Sequence, residues 1–251
     1  MIFFKKVILG FVVGTAAIIP GLSGGVLAAI LGIYEPIMAA LSGFFKNFKK
    51  NALFLLPYAL GGVAGFVLLG GIIDFLMEYA ETQVLFLFAG LVIGGFPALI
   101  REANKEGFKI HYLFVAAIAF FFMLSFGEIL GNPPKTPFLK YLLGGTIYSF
   151  GSIIPGISAS FILINMGIYR EILSSLFMPQ VILPFFLGFI VTSIILIKGI
   201  NYLFKRFHSY SYYCVLGLLL ASIITALPAI SNPLIDIPVL ISGILLGFFI
   251  I

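Results

Sequence analysis

The amino-acid sequence predicts an all-α polytopic membrane protein. It should hold two inverted-topology repeats, each a broken re-entrant helical hairpin plus two transmembrane helices, with a linking helix between them and one C-terminal helix. Three observations carry this expectation. Of 251 residues, 62% are hydrophobic and 9% charged, with mean hydropathy +1.23; a soluble domain carries about 25% charged residues to cover its surface. Apolar segments of spanning length follow one another along the chain. A motif that interrupts a helix occurs twice. The composition excludes soluble-enzyme classes and disorder alike.

A helix needs about 20 apolar residues to cross roughly 30 Å of hydrocarbon. Full spans are expected near 52–77, 82–100, 110–129, 180–204, 210–228 and 234–251. Two regions depart from that length. The run 7–19 stops at Pro20-Gly21, and 139–154 stops at Pro155-Gly156; short apolar stretches follow at 23–33 and 158–168. Each set reads as a half-length helix, a break and a second half-length helix. Lys5-Lys6 before an apolar run resembles a signal peptide. The same pattern stands in mid-chain, where none can sit, so the first is read as part of the fold. The spacings Gly10/Gly14, Gly61/Gly65 and Gly90/Gly94 suit close helix packing.

The two breaks are copies of each other. Ile18-Ile19-Pro20-Gly21-Leu22-Ser23-Gly24-Gly25 aligns with Ile153-Ile154-Pro155-Gly156-Ile157-Ser158-Ala159-Ser160 at an offset of 135, which also carries Gly32-Ile33-Tyr34 onto Gly167-Ile168-Tyr169. Leu56-Pro57 and Gly90 then match Leu183-Pro184 and Gly217 at an offset of 127. The chain is expected to form a single transmembrane domain: repeat one about 5–100, linking helix about 110–129, repeat two about 138–228, C-terminal helix about 234–251.

One extra crossing should invert the second copy, and charge is consistent with that. With Lys5 and Lys6 in the cytoplasm, 11 of the 14 basic residues fall in inner loops and Asp74, Glu78, Glu81, Glu128 and Asp236 fall outside. Paired broken helices in inverted repeats are the architecture of secondary transporters, with the site where the breaks face each other. The net charge of +5 resides in residues flanking apolar spans, which suits anionic lipid and not nucleic acid.

A helix start carries unpaired N–H groups and about half a positive charge. Ser23, Gly24 and Gly25, and Ser158, Ala159 and Ser160, therefore form candidate contacts for an anion, particularly a phosphate. Arg170 is a candidate phosphate clamp. Glu35 and Glu171 are candidate carriers of a proton or cation. The alternative is that Pro-Gly is a kink satisfied by neighbours and that these charges lie at the interface. Lone Cys214 excludes an intramolecular disulfide, and His111 and His208 sit near the ends of separate helices, so no metal site is expected. No triad, phosphate-binding Walker loop or paired catalytic carboxylates emerges. The expectation is a transporter, not an enzyme, with no cofactor beyond coupling protons or sodium.

The doubled signature, Ile19-Pro-Gly-Leu-Ser-Gly-Gly25 through Gly32-Ile-Tyr-Glu35 and Ile154-Pro-Gly-Ile-Ser-Ala-Ser160 through Gly167-Ile-Tyr169, resembles the PopT family of undecaprenyl-phosphate translocases. The resemblance spans nearly the whole chain. It implies return of the polyprenyl phosphate carrier of cell-envelope glycan synthesis, peptidoglycan included, from the outer to the inner leaflet of a prokaryotic cytoplasmic membrane. The sequence departs from the family pattern at Ala159, where the family favours glycine, and at Arg170, which stands opposite Glu35. Transport of a small soluble anion, a lipid-phosphate enzyme and a structural membrane subunit are the competing readings.

Overall fold

The computed structural model describes residues 2–16, 24–130, 133–157, 159, 162–163, 166–168, 171–172 and 178–250. The described residues are helical and turn throughout, with no strand among them. The helices are α1 (Ile2–Ala16), α2 (Gly24–Ile30), α3 (Tyr34–Ser42), α4 (Phe48–Ala103), α5 (His111–Leu130), α6 (Pro137–Ile153), α7 (Pro179–Arg206), α8 (His208–Ala226) and α9 (Pro233–Ile250). A helix forms at each of the six expected spans, with α4 covering two of them, and those of α5 and α9 hold the shorter apolar segments His111–Ser125 and Pro233–Phe249. A kink interrupts α4 at Ala80, whose dihedrals are non-helical (φ −145°, ψ 39°), between Glu78 and Glu81. Segments Phe48–Ile73, Phe75–Ala103, Pro179–Arg206 and His208–Ala226 are each long and apolar enough to cross a membrane, and the bent pair α2–α3 adds a further broken one. Large apolar side chains face outward along these helices, as Ile195 (67% exposed) and Phe249 (80%) do. The chain is a multi-pass membrane protein.

Where glycines line up, helices touch backbone to backbone. A Cβ on Gly10 or Gly14 of α1 would overlap the backbone at Tyr58 or Gly62 of α4, and one on Gly61 or Gly65 would strike α1 in return. In the second copy α6 and α7 meet the same way, through Gly145 against Phe185 and Gly188 against Leu142. Small residues are what permit such approach without a hydrophobic drive between helices in lipid.

The last helices pack crosswise. Gly90 and Gly94 of α4 meet Gly243 and Gly247 of α9, whereas Gly217 of α8, the counterpart of Gly90, meets Ala116 of α5. The helix that follows each copy thus packs on the final span of the other. Two cores result, each centred on a hairpin. Val26, Leu27, Ile30 and Tyr34 sit with Val92, Leu99, Tyr212 and Leu216; Ile162, Leu163 and Ile168 sit with Ile147, Phe185 and Leu218. Successive faces of α8 serve both, so that span is the most buried of the long ones.

Candidate functional site

Both hairpins turn on the same device. Gly32 and Gly167 are in the left-handed region, at φ 67° and 70°, a conformation that favours glycine. Ile33 N–H bonds to Ala28 O (2.9 Å), and Ile168 N–H bonds to Leu163 O (3.1 Å). Leu31 N–H to Leu27 O is matched by Met166 N–H to Ile162 O, and Ile37 N–H to Ile33 O by Ile172 N–H to Ile168 O. Every one of these partners is displaced by 135 residues. The six-residue closure at a glycine is a Schellman C-cap. In the first copy it bends α3 away from α2 by 114°. The sequence repeat is therefore a repeat of backbone hydrogen bonds.

The first elbow is joined to the end of α6, while Pro20-Gly21 lies outside the described residues. Tyr34, 4% exposed, donates its hydroxyl to Ile153 O in the last turn of α6 (2.6 Å). That carbonyl lies two residues before Pro155, where a helix leaves acceptors without intrahelical donors. Gly156 (φ 91°) packs on α8 at Leu218 and Leu219, and its carbonyl accepts from Ser222 Oγ. The second Pro-Gly break is thus satisfied by a neighbouring helix, the structural alternative weighed for it above.

Of the expected phosphate contacts, Gly24 and Gly25 open α2, half-buried. Ala159 is buried against Gly151. Ser23, Ser158, Ser160 and Arg170 lie outside the described residues.

The two hairpin carboxylates have different surroundings. Glu171 accepts from Lys140 Nζ at both oxygens (2.6 and 2.9 Å) and from Tyr141 Oη (2.7 Å). All of these donors belong to the first turns of α6. Glu35 accepts from Tyr212 Oη of α8 (2.9 Å) and lies 3.8 Å from His208 Nδ1. His208 Nε2 is 3.5 Å from Glu102 Oε1 at the end of α4, and Lys105 pairs with that same oxygen. Glu35, Glu102 and His208 place one donor atom each within 4.8 Å of one another. Tyr212 donates to Glu35 Oε1 and Lys105 pairs with Glu102 Oε1, the same two oxygens that face the ring.

Glu102, His208 and Tyr212 were not singled out from the sequence. A signal was present: the charge count that places residues 101–109 and 205–206 in inner loops also puts the end of the first hairpin on that side. Which inner residues touch is a matter of lateral packing.

Two cavities adjoin the hairpins. One, of about 260 Å³, lies between α3 and α7 and is lined by Glu35, Asn201 and Lys205 among apolar groups. The other, also about 260 Å³, begins at Ile154 and runs between α5, α7 and α8 past Val115, Leu203, Phe204 and Cys214.

The undecaprenyl phosphate translocase-like (VCA0040-like) family matches residues 13–235. The chain belongs to this family. A polyprenyl-phosphate transporter of Staphylococcus aureus (strain NCTC 8325 / PS 47) is 29% identical to it over 98% of this chain and 93% of the relative. A polyprenyl-phosphate transporter of Vibrio cholerae serotype O1 (strain ATCC 39315 / El Tor Inaba N16961) is 24% identical over 85% of this chain and 74% of the relative. No solved structure matches. Membership places the chain among transporters and not among enzymes.

Proposed function

We propose that the protein moves a polyprenyl phosphate, with undecaprenyl phosphate the expected carrier, from the outer to the inner leaflet of the cytoplasmic membrane. The observation that carries the reading is the pair of elbows with matching backbone bonds, linked by Tyr34 to the end of α6, in a family named for this cargo. The two copies run in opposite directions through the membrane, with the N-terminus cytoplasmic. The phosphate head binds between the hairpins, contacted by Ser23, Gly24 and Gly25 from the first and by Ser158, Ala159, Ser160 and Arg170 from the second. The apolar cavity beginning at Ile154 suits a prenyl chain better than a soluble anion, since it offers hydrocarbon contact beside the second break.

A phosphomonoester carries about −1.5 to −2 charges. Moving it inward against a negative-inside potential costs roughly 3–5 kcal/mol at 100 mV. Accumulation on the inside needs a co-transported proton or cation, or consumption of the carrier there. Glu35 and Glu171 are the proposed coupling groups.

The test is movement of polyprenyl phosphate between leaflets of proteoliposomes. Wild type should move the lipid, free polyprenyl phosphate should compete where soluble phosphate does not, and Arg170→Ala should slow movement roughly tenfold or more, the effect of losing a hydrogen bond to a charged group. No movement by folded protein under imposed proton and sodium gradients would sink the reading.

A further inference from the structure

His208 opens α8 at the basic end of the bundle, its side chain 14% exposed. The ring spans two carboxylates from two other elements, Glu35 of α3 on the Nδ1 side and Glu102 of α4 on the Nε2 side. The Nδ1 atom is buried and makes no hydrogen bond to the described residues. A neutral imidazole has one N–H and one lone pair. Between two carboxylates, that lone pair must face a negative oxygen on one side. The imidazolium has a donor for each.

The other charged and titratable groups nearby do not supply what the proton would. From α4, Lys105 pairs with Glu102. Within α8, Tyr212 donates to Glu35 and stands edge-on to the His208 ring at 4.8 Å. Tyr34 of α3 is engaged with Ile153 O. From α7, Lys205 lines the cavity beside Glu35 without an ion pair among the described residues. His111 and Tyr112 of α5 stack on Tyr210 and Tyr213. Among the described residues, His208 is the one basic side chain within 4 Å of a Glu35 carboxylate oxygen. The cavity between α3 and α7 gives Glu35 a route for water.

We propose that His208, Glu35 and Glu102 form a proton-binding site at the inner end of the first hairpin, and that proton occupancy sets how firmly α3 is held to α4 and α8. With the proton bound, the imidazolium bridges three elements. Without it, one bridge is lost and a lone pair opposes a carboxylate, so the hairpin loosens. In the transport reading above, on which this consequence rests, the site takes up or releases the coupling proton on the cytoplasmic side.

The experiment is hydrogen exchange of the α3 amides in the full chain in lipid nanodiscs, at about pH 5.5 and about pH 8 and corrected for intrinsic rates. Wild type and a His111→Gln control should show about tenfold more protection at the lower pH, the worth of a hydrogen bond between charged groups. That ratio should fall below about twofold in His208→Gln and in Glu102→Gln, as the charge-assisted bridge is lost. Equal protection at both pH values in wild type, or a ratio preserved in His208→Gln, overturns the proposal. Should His208→Gln not fold, Glu102→Gln on a different helix decides by the same ratio. Leaflet movement of polyprenyl phosphate at the two pH values separates the claims. Movement with a flat exchange ratio leaves transport standing without this site, and a full exchange ratio with no movement leaves the proton site standing without transport.

Discussion

The two hairpins share an elbow and differ in the partners of the carboxylate that follows it. Gly32 and Gly167 adopt the same conformation, with the same backbone closures displaced by 135 residues. Glu35 of the first hairpin is then engaged by side chains from other elements, Tyr212 and His208 of α8, with Glu102 of α4 behind them. Glu171 of the second is held by Lys140 and Tyr141, adjacent residues of one helix. The carboxylate of the first hairpin meets side chains distant in sequence, and that of the second meets the half-helix that precedes it. Local geometry can thus be duplicated while the tertiary anchoring diverges, and divergence of anchoring is what gives two copies of one motif different duties.

Substitutions can break that comparison at graded strength. The largest effect is expected at Gly151, where a Cβ would overlap Ala159. The first hairpin has the small pair in reverse order, Ala16 and Gly24, at the same offset. Gly151→Leu should cost about 3 kcal/mol or more by overpacking. Gly151→Ala should cost less, and adding Ala159→Gly should recover only part, because the backbone of residue 159 is also in the way. Thermal unfolding in detergent, followed through labelling of the lone Cys214, would read these losses.

Next in size are the two hydroxyls that satisfy carbonyls on either side of Pro155 at the second break. Tyr34→Phe and Ser222→Ala each leave a carbonyl without its donor, and each should cost about 1–3 kcal/mol. Equal losses would mean that the first hairpin and α8 hold the second break equally; a loss confined to Tyr34→Phe would mark the bond from the first hairpin as the one that matters. The elbows themselves offer a matched pair. A Cβ at Gly32 or Gly167 meets nothing within 4 Å, so alanine at either site tests backbone strain alone, at roughly 1–2 kcal/mol. A large difference between the two would contradict the equivalence of the elbows. Lys140→Met should be mildest, under about 1 kcal/mol, since Glu171 is 40% exposed and such pairs contribute little. By contrast, Glu35→Gln should abolish the pH dependence of α3 exchange proposed above.

The apolar segments and the half-length helices before each break were legible in the chain, because each depends on residues next to one another; Gly-Ile-Tyr was legible as a repeat but not as an elbow. The helix-packing glycines were legible as a spacing, yet their partners were not: that α5 lies on α8 and α9 on α4 depends on which groove each helix enters. The candidate site divides the same way. Glu35 and Glu171 stood out as charges in apolar surroundings, while His208 and Glu102 looked like ordinary loop-end polar residues.

Hydropathy, helix length and the doubled break are properties summed along a contiguous segment, and lipid enforces them on every such segment by denying water to the backbone. They determined that this chain crosses the membrane repeatedly and that one break motif occurs twice. Which copy's carboxylate meets a histidine depends on contacts between helix ends about a hundred or more residues apart in sequence. No local rule relates those residues, so only the lateral packing of the helices, set largely by where glycines allow close approach, decided it.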